Sequence, residues 1–198
     1  MIDDLGLLAA RLTVGLGYAA HGAQKLFGWF EGPGLEGAAG FMESLGFKPG
    51  KQYATVASDG EVAAGLMIAL GLGGPIGPAI LLSGMIVAQN SVHRDNGFFA
   101  SKNGVELGLL YASAALAFAS SGYGAVSLDR ALGLHEKLRH PAFTAVALAG
   151  AIAAGYLVLG ERETGPPEGT LATPTIKGAE RDGDRNGQSA PQSSPATT

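Results

Sequence analysis

The sequence predicts an all-α polytopic membrane helix bundle. Three observations predict it. First, of its 198 residues 46% are hydrophobic and only 15% charged, well below the roughly 25% charged residues of a soluble domain. Second, the apolar residues gather in runs long enough to cross a bilayer. Third, those runs are separated by Gly/Pro breaks. The same composition excludes several functions. With no cysteine there is no disulfide, thiolate nucleophile, iron–sulfur cluster or structural Cys-zinc site. A formal net charge of −4 gives no electrostatic reason to bind nucleic acid.

A helix needs roughly 20 mostly apolar residues to cross the hydrocarbon core. Residues 5–27, 76–93, 105–121 and 142–159 satisfy this, the last without any charge. Residues 62–72 are apolar but reach only about 16 Å at 1.5 Å per residue. A span there must begin near Gln52 or Tyr53, and it carries Ser58, Asp59 and Glu61 into the bilayer. Five spans result. The residues before the first are acidic, Met1-Ile2-Asp3-Asp4, so that span is expected to be retained rather than cleaved as a signal peptide.

Two connections carry helical patterns. Leu35, Ala38, Ala39, Met42 and Leu45 face one way, with Glu36 and Glu43 opposite; Leu128, Ala131, Leu132, His135 and Leu138 form a second apolar face. Both are read as short interfacial amphipathic helices, the second with Ser127 as N-cap. Phe27, Trp29 and Phe30 fit an aromatic belt. From Glu161 onward the composition changes. This segment holds ten of the 30 charged residues and half of the ten prolines, with no aromatic residue. Residues 161–198 are therefore expected to form a disordered polar tail. The expected organisation is a bundle over 1–132, a connection and additional span over 133–160, and the tail. Lys25, Lys48, Lys51, Arg94, Lys102 and Arg162 fall on one side; Arg130, Lys137 and Arg139 fall on the other. The bias places the C-terminus in the cytoplasm and the N-terminus outside a multi-pass cytoplasmic membrane protein.

An ionisable residue inside a membrane is costly and is a functional hypothesis by default. The candidates are Arg11, His21, Gln24, Lys25, Glu61, His93 and Glu106, with Gln89 and Asn90 nearby. Arg11, Tyr18 and Lys25 are seven apart and share a face, with His21 beside them. The up-down order of spans puts His21, Gln24, Lys25, Gln89, Asn90, His93 and Glu106 in one leaflet. Glu61 falls near mid-depth and Arg11 towards the other side. The charges balance as Arg11 and Lys25 against Glu61 and Glu106. Each residue also has a structural reading. Ser58-Asp59-Gly60-Glu61 and Asn103-Gly104-Val105-Glu106 match capping boxes. Arg11 and Lys25 can snorkel. His21 and His93 can be satisfied by neighbouring helices, and Gln89 and Asn90 can join helices. Glycines 15, 17 and 22, and 104 and 108, allow close helix approach. No metal motif, catalytic triad or nucleotide loop stands out.

The run Arg11-Leu12, Gly15, His21-Gly22-Ala23-Gln24-Lys25-Leu26-Phe27-Gly28-Trp29-Phe30, then Gly32-Pro33-Gly34, resembles the start of the DoxX family of small bacterial membrane proteins. The resemblance continues through Glu61, Leu70-Gly71-Leu72, Val92-His93, Asn96-Gly97-Phe98-Phe99 and Gly104-Val105-Glu106-Leu107. It ends with Ser121-Gly122-Tyr123-Gly124 and Ser127-Leu128-Asp129, having covered about residues 5–132. It implies a four-helix membrane bundle with a polar interior. It also implies an association with thiosulfate:quinone oxidoreductase subunits and with redox or stress systems. The fifth span and the tail depart from that pattern.

Three functions follow as expectations. The first is a redox-associated membrane subunit whose buried polar residues hydrogen-bond a quinone or small reductant and move protons. The second is a non-catalytic scaffold for an oxidoreductase, its polar network serving only the fold. The third is a small proton-coupled transporter, against which stand the small size and the lack of an internal repeat. The expected partners are the lipid bilayer and an oxidoreductase subunit.

Overall fold

Glycines set how the first two long helices meet. The computed structural model describes residues 2–163. Helix α1 spans Ile2–Phe27 and α3 spans Gly50–Leu70. Between them α2, Gly34–Ser44, forms a short excursion. A Cβ added to Gly15 would stand 2.5 Å from the Gly65 carbonyl and 2.6 Å from the Ala69 nitrogen; one on Gly22 would stand 2.6 Å from the Ser58 carbonyl. As the number rises along α1 it falls along α3, so the two helices run antiparallel with their backbones in contact.

The alternative reading of Ser58-Asp59-Gly60-Glu61 as a cap does not hold, and the helix starts near the expected Gln52 or Tyr53. α3 runs through these residues without interruption. The Ser58 hydroxyl donates to the Ala54 carbonyl one turn back, at 2.6 Å, in a buried position. A helix of 21 residues thus covers the length that the apolar core of this run lacked. It stops at Gly71, whose φ of 68° is left-handed. The Leu72 amide closes the end on the Met67 carbonyl, the six-to-one bond of a glycine C-cap.

Helix α4, Ile76–Ala88, returns along α3, with Gly77 seated on Ala64, Met67 and Ile68. A π turn, Gln89–His93, extends it. Two 3-10 turns then lead to α5, Glu106–Ser121. Helix α8, Pro141–Gly160, has His140 as its N-cap and Pro141 in the first turn, where proline's missing N–H is no loss. It lies along α4 with Gly155 against Ser83 and Ile86. Tyr18, Ile68, Leu81, Leu82, Phe118 and Ala151 form the buried centre. All regular elements among the described residues are helical.

Of the two connecting segments, the first forms its expected helix and apolar face: Ala38 and Ala39 of α2 are buried with Ala54 of α3, with Leu35 and Met42 packed against them. The second departs from expectation. The expected single face over 127–139 is broken into two one-turn helices, α6 (Leu128–Ala131) and α7 (His135–Leu138). The cause is Gly133 at φ 68°, which lets the Leu134 amide turn back onto the Asp129 carbonyl at 2.7 Å. Leu128, Ala131 and Leu132 are consequently exposed, while His135 and Leu138 are half-buried. Ser127 does cap α6, accepting from the Arg130 amide at 3.3 Å.

Long-range bonds define the two ends of the bundle. At one end Arg162 donates to the Leu45 carbonyl, the Glu163 amide bonds the Gly46 carbonyl at 2.9 Å, and Glu163 pairs with Lys48 at 2.9 Å. At the other, buried Asp129 accepts from the Gly73 and Gly74 amides at 2.9 and 2.7 Å. There too the Asp4 carboxylate accepts from the Ala125 amide at 2.8 Å. That bond holds the Asp4 carboxyl below its ordinary range. A lowered folded-state pKa adds stability above the unfolded value, and this is lost as pH falls through the folded value. The melting difference between the wild type and Asp4→Ala should therefore be present at about pH 6 and smaller at about pH 3. An unchanged difference at both would show that the carboxylate charge does nothing here.

Of the described helices, α8 alone is long and apolar enough to qualify as a membrane span on length and composition; α5 is apolar but shorter, at 16 residues. α1 and α3 have the length but carry polar residues, and α4 has 13 residues before its π turn. The expected polar tail lies, from residue 164, outside the described residues.

Candidate functional site

The seven-residue stripe on α1 faces the bundle. Arg11 and Tyr18 are buried, and Lys25 reaches across to α3, where its ammonium donates to Glu61 Oε1 at 2.5 Å. The Glu61 side chain is 12% exposed and that of Lys25 31%. The second oxygen of Glu61, Oε2, is buried with no hydrogen-bond partner. A carboxylate held by one cation with its other oxygen unused can still accept a hydrogen bond or a proton.

Two tyrosines and a histidine stand near this pair. Tyr18 and Tyr111 stack with ring centroids 5.8 Å apart, and His21 meets the edge of Tyr111 at 6.3 Å. Small residues make room for both hydroxyls: a Cβ on Gly84 would lie 2.5 Å from the Tyr18 oxygen, and one on Gly17 would lie 3.0 Å from the Tyr111 oxygen. Both hydroxyls lie within electrostatic range of the Glu61 carboxylate. The arrangement thus puts a cation, a half-used carboxylate and two phenols within one region of the helix bundle.

The remaining candidates do other things. Gln24 donates to the Phe30 carbonyl at 3.4 Å and steadies the turn after α1. His93 Nδ1 lies 2.8 Å from the Asn103 carbonyl. Glu106 accepts from the Ala100 amide at 2.8 Å. The expected balance of Glu106 against Arg11 or Lys25 is therefore not formed. The tight 94–104 connection leaves backbone N–H groups needing acceptors, and a carboxylate in the first turn of α5 meets that need while suiting the helix dipole. Asn103, expected as the α5 cap, instead adopts a left-handed turn at φ 61°.

Arg11 lies 14 residues from Lys25 on α1, about 21 Å along the axis, and belongs to the opposite end. It donates to the Val126 carbonyl, while its Nε and Nη1 are buried without partners. The structure thus brings Lys25 and Glu61 together, with His21 at the tyrosines. It leaves Gln24, His93 and Glu106 in connections, and Arg11 alone. Tyr111 was missed because an aromatic residue in an apolar run reads as core. Among the described residues no three His, Cys, Asp or Glu side chains cluster as metal ligands would.

The described residues form an all-helical bundle with an ion pair inside and large apolar side chains on its exposed faces. The DoxX family model matches residues 6–94, so that stretch of the chain is similar to the DoxX family. The match includes Arg11, His21, Gln24, Lys25, Glu61 and His93; Glu106 and the motifs after it lie beyond. Comparison with curated proteins and with solved structures gives no match.

Proposed function

We propose that the protein is a multi-pass, redox-associated subunit of the bacterial cytoplasmic membrane, and that the Lys25–Glu61 pair receives the headgroup of a quinone. The supporting observation is an inside-out distribution of polarity. The bundle encloses Arg11, Ser58, the Lys25–Glu61 pair and the tyrosines. Its outward face carries Leu5, Leu16, Val56, Leu110, Val146 and Leu157, all more than half exposed. Apolar surface on that scale needs a cover, and lipid covers every side of a bundle at once. Exposed Phe27, Trp29, Phe30, Phe98 and Phe99 stand at one end, the place of an interfacial aromatic belt. With α8 as one span, α1, α3, α4 with its π turn, and α5 supply four more.

At the pair, the Lys25 ammonium donates to a quinone oxygen, and Glu61 Oε2 accepts a hydrogen bond from the hydroquinone form. The chain has no cysteine, so electrons come from a partner oxidoreductase subunit. The test is to titrate the full chain in lipid nanodiscs with a short-chain ubiquinone, following Trp29 emission and thermal stability. Trp29 is the sole tryptophan and packs on Phe27 at 5.2 Å, one turn beyond Lys25. A saturable change is expected in the wild type, weakened about tenfold or more in Glu61→Gln, with helicity intact. No response in the wild type sinks the quinone reading. The same response in both proteins leaves the pair as a structural device of a scaffold.

A further inference from the structure

At the end of the bundle opposite the Lys25–Glu61 pair, the chain after α5 folds around a cavity of about 360 Å³. Tyr123, Ser127, Asp129, Arg130, His135 and Arg139 are among its walls. The acidic groups at its edge already serve the backbone: Asp129 holds the Gly73 and Gly74 amides, and Asp4 holds that of Ala125. Asp4 also lies within electrostatic range of Arg130. Arg130 and Arg139 are exposed, and neither makes an ion pair among the described residues. Arg139 lies over Gly122, where a Cβ would meet its Cδ at 2.9 Å.

Two polar atoms of the lining residues are buried with no partner, the Tyr123 hydroxyl and His135 Nδ1. Tyr123 is 4% exposed, and burial raises its hydroxyl pKa above the ordinary value, keeping it a donor. Close to this wall lies the Arg11 guanidinium, against Gly71 and bonded to the Val126 carbonyl, with two nitrogens unpartnered. A buried cation with no counter-ion is costly. Two rim guanidiniums, a buried phenol and a third guanidinium close to them leave this region short of one anion. Guanidinium groups match the oxygens of a phosphate in pairs.

The rim says where such a phosphate comes from. Val126, Leu128, Leu132 and Leu134 are exposed along it, and these are neighbours for acyl chains rather than for a free ion. We propose that the cavity is a phosphate site that holds the headgroup of an anionic phospholipid. The lipid as source rests on the membrane reading above; the phosphate chemistry does not.

The test compares the full chain in nanodiscs of phosphatidylcholine with and without phosphatidylglycerol, and in detergent with inorganic phosphate. Native mass spectrometry counts retained lipid, and melting reports protection. Wild type should retain phosphatidylglycerol over phosphatidylcholine and melt higher with it. Arg130→Gln/Arg139→Gln, two surface changes that spare the core, should weaken this about a hundredfold, tenfold for each lost charged contact. Tyr123→Phe keeps the ring against Phe118 and should weaken it less. Glu61→Gln should leave it unchanged, which separates this site from the quinone reading. Equal protection by inorganic phosphate alone overturns the lipid as occupant. No preference for phosphatidylglycerol, or an unaltered preference in the double variant, overturns the site.

Discussion

Gly15→Ala should destabilise the protein by about 3 kcal/mol, although it adds a single methyl group. The added carbon would stand 2.5 Å from the Gly65 carbonyl and 2.6 Å from the Ala69 nitrogen. Both are backbone atoms of α3, so no side chain can rotate away, and the two helices must part along their length. Parting them also loosens Gly22 against Ser58 and Gly65 against Ala19. Gly6→Ala, on the same helix, is the control, because nothing lies within 4 Å of its new methyl group. There alanine should stabilise by about 0.5–1 kcal/mol through backbone entropy alone. Unfolding followed by far-UV circular dichroism in mild detergent would show opposite signs. Equal small effects at both glycines would mean that α1 and α3 are not in backbone contact.

Lys25→Met should lower stability by about 2–3 kcal/mol, near the lower end for breaking a buried pair because Lys25 is partly exposed. The loss leaves Glu61 with a charge and no partner at either oxygen. Changing Glu61→Leu as well removes the stranded charge, so Lys25→Met/Glu61→Leu should recover most of the stability. A double-mutant cycle measures the coupling directly. If the two single losses simply add, the 2.5 Å contact contributes no pairwise energy and the pair loses its standing as the organising feature of the interior.

Much of the interior was legible because helical geometry is local. Spacing of seven puts Arg11, Tyr18 and Lys25 on one face, and that face does turn inward. The short apolar run over 62–72 put the start of its helix near Gln52 or Tyr53, and α3 starts at Gly50. The local signals that pointed away from the structure were caps. Ser58 followed by Glu61 looks like a helix start, yet a serine hydroxyl can equally bond the carbonyl four residues back. Partners were the least legible part. Alternating span direction gives the end of the bundle at which a side chain lies, but not the way it points. His93 and Glu106 were accordingly assigned to the polar interior, whereas they hold the backbone of the 94–104 connection. The seat of Asp129 against Gly73 and Gly74 depends on contacts more than fifty residues apart in the chain. No pattern within a segment announces them.

The seat of Arg11 bears on the order in which the chain is made. Its one bonded partner, the Val126 carbonyl, lies 115 residues downstream. At a ribosome, α1 emerges long before that carbonyl exists. During most of synthesis the nascent chain therefore carries a guanidinium whose final partner has not yet been translated. Chains halted before Val126 should leave α1 accessible to the insertion and quality-control machinery, with Arg11 as the mark of an unfinished molecule.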